Sequence, residues 1–150
     1  MRLTLAALAL AALAGCSSTP AAKSPVIAKS AAVVEYGAEA VHVADVACAA
    51  AGAELRASGN AAKAADVTGK CVAALKPAAD TLEGLAAAIY AGKAISDSQI
   101  ACGVALSLEA LASVRVIMAD VGKPLPDSVD KYVKAATPWL PVAEGMVCKS

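Results

Sequence analysis

The chain has 150 residues, 13 Lys and Arg against 13 Asp and Glu, a single His, no Phe, and only 3% aromatic residues. This balance excludes a polybasic nucleic-acid binder, and the length makes one domain the natural count. Hydrophobic residues are 59% of the chain, and alanine, the strongest helix former, is prominent among them.

The first residues form a leader. Arg2 supplies a positive start, Leu3 to Ala14 are apolar apart from Thr4, and small residues follow at Ala14 and Gly15. This is the layout of a secretory signal peptide. A helix of that apolar length spans about 18 Å, short of a bilayer core of about 30 Å. Leu13-Ala14-Gly15-Cys16 resembles the lipobox of bacterial lipoproteins. The resemblance implies cleavage between Gly15 and Cys16, a diacylglyceryl group on the Cys16 thiol, and acylation such as palmitate on the new amine. Two or three chains make a stable anchor where one binds only marginally. Ser17, in place of an Asp after the cysteine, implies outer-membrane sorting in a cell with two membranes. Residues 16–25 then read as a lipidated tether rich in Ser, Pro and Ala, and 26–150 as one helical domain.

The body reads as helical from end to end, since the runs of β-branched and aromatic residues that mark strands are absent. Ile27, Val34, Val41, Cys48 and Leu55 recur every seven residues, with Ser30, Gly37, Ala44, Ala51 and Ser58 three positions later. Medium apolar residues at a and small residues at d predict a helix over about 24–58 whose seam lets a neighbour come close. That seam serves packing within the chain rather than a homodimer. Gly59 is the expected stop. A second leg runs from Ala61 to about Gly92, carrying Val67, Cys71, Leu75, Leu82, Leu85 and Ile89, either kinked or restarted at Pro77.

Ser96-Asp97-Ser98-Gln99 predicts a capping box. It opens a third helix with Ile100, Val104, Leu108, Leu111, Val114, Met118 and Val121 on one broad face. Glu109 and Arg115 interrupt this stretch and mark it as a bundle helix rather than a membrane span. After the stiff Lys123-Pro124-Leu125-Pro126 loop, Asp127 is the expected cap of a fourth helix, kinked or restarted at Pro138 and Pro141. Short loops between four legs predict an all-α, up-and-down antiparallel bundle.

With Cys16 assigned to lipid, Cys48, Cys71, Cys102 and Cys148 remain. Export to an oxidising compartment makes disulfides the expectation, and four cysteines allow three pairings. In an antiparallel hairpin, residues equidistant from the turn lie level. The turns at Gly59-Asn60 and Pro124-Pro126 bisect 48/71 and 102/148, which selects Cys48–Cys71 and Cys102–Cys148. Each closure is worth roughly 3–4 kcal/mol in the chain-entropy model.

No catalytic constellation is legible. Glu35, Glu39, His42 and Asp45 share a helical stripe, and Glu39-x-x-His42 resembles half of a di-iron carboxylate site in ferritin-like bundles. The second half would need another histidine, so the stripe reads as a solvated face. Nucleophile-elbow, phosphate-loop, haem-attachment and zinc spacings are missing, so no cofactor and no metal are expected. Trp139 and Leu140, within Pro138-Trp139-Leu140-Pro141, form a possible interaction patch, the plainer alternative being a lid over the bundle end. The expectation is therefore a non-enzymatic lipoprotein facing the periplasm, bound to the bilayer through Cys16, with a structural or protein-interaction role toward an unidentified envelope protein. Two alternatives differ in class: a periplasmic immunity, inhibitor or phage-encoded envelope protein, and a carrier of a small apolar ligand in the bundle core.

Overall fold

The computed structural model describes residues 25–143 and Cys148. Its elements are α1 (Pro25–Ala57), α2 (Ala61–Tyr90), α3 (Asp97–Ala119), α4 (Asp127–Ala136), a 3-10 turn (Thr137–Trp139) and α5 (Leu140–Ala143). The leader and the tether up to residue 24, with Gly15 and Cys16, lie outside the described residues.

Each boundary has a local cause. After α1, Gly59 takes φ +83°. Asn60 N–H reaches back to Leu55 O at 2.8 Å and Gly59 N–H to Arg56 O at 3.0 Å, the paired bonds of a Schellman stop. Gly122 ends α3 the same way, at φ +70°, with Lys123 N–H on Met118 O at 3.0 Å and Gly122 N–H on Ala119 O at 2.9 Å. The box at the start of α3 is formed: Ser96 Oγ accepts from Gln99 N–H, and Gln99 Oε1 accepts from Ser96 N–H at 3.0 Å.

Pro77 lies inside α2 without ending it. Its missing N–H removes one helical bond, while Thr81 Oγ1 donates to Pro77 O at 2.8 Å. The fourth leg is broken at Pro138, where the 3-10 turn separates α4 from α5. One boundary differs from expectation. Asp127 does not cap α4: Pro126, extended at φ −60° and ψ 149°, holds the cap position, and its carbonyl accepts Val129 N–H at 3.0 Å. Asp127 and Asp130 instead occupy the first turn, where their carboxylates face the positive end of the helix dipole.

The helices pack as an up-and-down bundle, with α1 lying most extensively on α2, and α2 on α3. The expected seam of α1 is inside: Val34, Val41, Cys48, Gly37, Ala44 and Ala51 are all buried, joined by Val33 and Ala40. Leu55 is half-buried and Ser58 exposed, as the seam runs out toward the turn. α3 is the one helix among the described residues long and apolar enough to cross a membrane. Here it packs against α1, α2, α4 and α5 and buries Ile100, Val104, Leu111, Val114 and Met118. Leu108 and Val121 are only half-buried, because the buried stripe passes through Gly103, Ser107 and Ala110 instead.

Two disulfides join the legs. Cys48–Cys71 ties α1 to α2 with Cα atoms 6.3 Å apart and is wholly buried. Cys102–Cys148 ties α3 to the chain beyond α5, with Cα atoms 5.4 Å apart, and is half-buried. The pairing is the one selected by the turn midpoints.

Close approach depends on glycine at three crossings. A Cβ on Gly37 would lie 2.9 Å from the Tyr132 hydroxyl and 3.2 Å from Leu82 Cδ2; one on Gly103 would lie 2.6 Å from Leu85 Cδ1; and Gly52 abuts Thr68. Gly69, by contrast, is exposed within α2 with open space around it.

Non-reducing peptide mapping is expected to return Cys48 joined to Cys71 and Cys102 to Cys148; a swapped pairing contradicts the topology. Gly37→Ala is expected to lower stability by about 1–3 kcal/mol through overpacking. Gly69→Ala is expected to raise it by about 0.5–1 kcal/mol by restricting the unfolded chain. Chemical denaturation of the two variants checks both signs.

Candidate functional site

The surface with most to offer a partner is the outward face of α1 and the clefts on either side of it. Glu35, Glu39, His42 and Asp45 are all exposed along this face. Toward α2, a cleft of about 320 Å³ has an apolar floor of Ala38, Val41, Leu75 and Ala79. His42 and Asp45 rim it on one side, Lys76 and Glu83 on the other. Toward α4, a cleft of about 330 Å³ is lined by Tyr36, Glu39, Val43, Lys131 and Tyr132, among others. Both are open to solvent, so neither encloses a small molecule as a ligand pocket does. The centre of the bundle is filled by fully buried Leu82, Leu111, Met118, Val34 and Val104.

Exposed large apolar side chains gather on α1 and α2. Tyr36 is 58% exposed, Val46 54%, Val72 48% and Tyr90 75%, with Val116 on α3 the remaining one among the described residues. The heptad contained a sign of this for α1: Tyr36 and Val46 fall at c and f, away from the seam. Tyr90 donates its hydroxyl to Glu35 Oε1 at 3.1 Å, and that carboxylate holds the phenol above its ordinary pKa.

The remaining sequence candidates are dispersed. Trp139 and Leu140 are half-buried, and Trp139 packs against the core, which suits a lid more than a free contact patch. Cys102 and Cys148 line a cleft of about 600 Å³ between α2 and α3 that also includes Lys93, Ile95 and Gln99. Among the described residues, no three His, Cys, Asp or Glu side chains gather to hold a metal ion. The lining around His42 contains no hydroxyl or thiol, so this cleft has no nucleophile for the imidazole to activate.

A buried polar pair beneath the α1–α4 cleft escaped the sequence reading. Ser107 Oγ donates to Val104 O at 2.7 Å and is also hydrogen-bonded to the Tyr132 hydroxyl. Ser107 has one proton and directs it at Val104, so Tyr132 supplies the proton between them. No buried side-chain polar atom among the described residues lacks a partner. Burial raises the Tyr132 pKa. A phenol raised on folding contributes stability that is complete below its unfolded value of about 10 and is lost as pH climbs through the folded value.

Tyr132→Phe is expected to cost about 1 kcal/mol at neutral pH. It is also expected to flatten the loss of stability above about pH 10 relative to the parent chain. Denaturation midpoints at neutral and alkaline pH would test both; parallel curves would contradict the assignment. Compared with known protein families, curated proteins and solved structures, the chain shows no match.

Proposed function

We propose that the chain is an exported lipoprotein, held at a membrane by acyl chains on Cys16, and that its helical body is a structural or protein-interaction module facing the periplasm. The observation that carries this reading is the apolar leader ending in Leu13-Ala14-Gly15-Cys16. Cysteine use supports it. Of five cysteines, four are paired in the body, and Cys16 is the one left over. Disulfides suit an oxidising compartment, and an Ala-rich core that buries little area per residue gains from them.

An interaction role is favoured over chemistry by the face just described, where charged and apolar side chains alternate across two shallow clefts. The carrier reading gains nothing from those clefts, which lie open on the surface above a filled core. Cys16→Ala is expected to move the protein from the membrane pellet to other fractions, or to leave an unprocessed precursor of higher mass. Unchanged membrane retention of a processed product would overturn the anchor.

A further inference from the structure

The two disulfides differ in what can reach them. Cys48 is 1% exposed and Cys71 0%. Buried Ala44, Ala51, Val67 and Leu75 lie one turn away from them on the same two helices. A thiolate reaches this bridge only after α1 and α2 separate, an opening that costs much of the fold. Cys102 and Cys148, by contrast, are half-buried and line the cleft of about 600 Å³ between α2 and α3. Their bridge is met from solvent with the helices in place.

The cleft suits an attacking thiolate. Thr81, Gly84, Ile95 and Gln99 also line it, and a Cβ on Gly84 would meet nothing within 4 Å, so the α2 wall stands clear. Lys93 is the one cation among the described lining residues and attracts an anionic thiolate. The one acid there, Asp80, is already paired with Lys76 at 2.9 Å. The rate of thiol–disulfide exchange depends on access to the sulfur and on the attacking thiolate.

We infer that Cys102–Cys148 is a site of reversible thiol–disulfide exchange with a low-molecular-weight thiol, while Cys48–Cys71 stays closed as long as the bundle is folded. In the first step the small-molecule thiolate attacks one sulfur of the bridge. The Cys102–Cys148 bond breaks, a mixed disulfide forms, and the other cysteine leaves as a thiolate and takes a proton from water. A second thiol then attacks the mixed disulfide. Cys102 and Cys148 are left as two thiols, and the small molecule departs as its own disulfide. Two thiols are oxidised and one protein disulfide is reduced. The exchange frees Cys148 from α3 while Cys48–Cys71 keeps α1 on α2. It couples the attachment of Cys148 to the thiol balance of the surroundings, and it does not depend on the anchor at Cys16.

The test incubates the purified native protein with an excess of reduced glutathione at neutral pH, without denaturant. Samples are quenched with an alkylating reagent, and peptide mapping by mass spectrometry reads the glutathionyl and alkylated cysteines. Far-UV circular dichroism follows the helices in parallel. Cys102 and Cys148 are expected to be modified at least about ten-fold faster than Cys48 and Cys71, with the helical signal retained. Equal rates at the four cysteines, faster opening of Cys48–Cys71, or loss of helical signal in step with opening of Cys102–Cys148 overturns the assignment. So does a Cys102–Cys148 bridge that stays closed throughout.

Discussion

How closely the helices can approach one another governs this structure. With no Phe and with alanine recurring through the core, each residue contributes little apolar area, and contact must be gained by short interaxial distance. Gly37, Gly52 and Gly103 sit at the crossings, where a single methyl group would meet Tyr132, Thr68 or Leu85. The wholly buried Cys48–Cys71 disulfide crosses the α1–α2 pairing. It limits the unfolded ensemble in a chain whose core alone contributes modestly.

The same constraint shapes the surface. Small residues on the inner seam draw α1 and α2 together, leaving a shallow cleft between them rather than a deep pocket. Apolar residues that do not fit this seam, such as Tyr36, Val46, Val72 and Tyr90, are directed outward and alternate with charges. Such a face is suited to recognising another surface more than to enclosing a substrate. The four exposed ion pairs among the described residues contribute little to stability, since screened surface pairs are worth about 0–1 kcal/mol. Where they join different elements, as in Lys123–Glu54 and Arg115–Asp130, they mark which ends and legs meet.

The Ser107–Tyr132 pair introduces polarity into an otherwise apolar interior. It couples the rotation of α4 to that of α3, because the Tyr132 phenol is hydrogen-bonded to the buried Ser107 hydroxyl. Gly37 makes the space this hydroxyl occupies, so α1, α3 and α4 meet at this pair. A buried polar pair of this kind selects one packing among several that an alanine-rich interface would tolerate.

Helix limits, the small-residue seam, the capping box and both disulfide pairings were legible in the sequence, because each follows from local backbone preference or from counting along a hairpin. Gly59 and Gly122 mark stops for a steric reason any chain obeys, and positions equidistant from a turn must lie level. Asp127 misled because an extended proline before it can hold the cap position without a side-chain acceptor. Other features needed the tertiary structure: the burial of Ser107 rather than Leu108, the meeting of Gly37 with Tyr132, and the clefts beside α1. These depend on the rotation of each helix about its own axis and on which ends coincide. Heptad spacing leaves that rotation loosely defined when so many residues are alanine, and only contact between distant segments settles it.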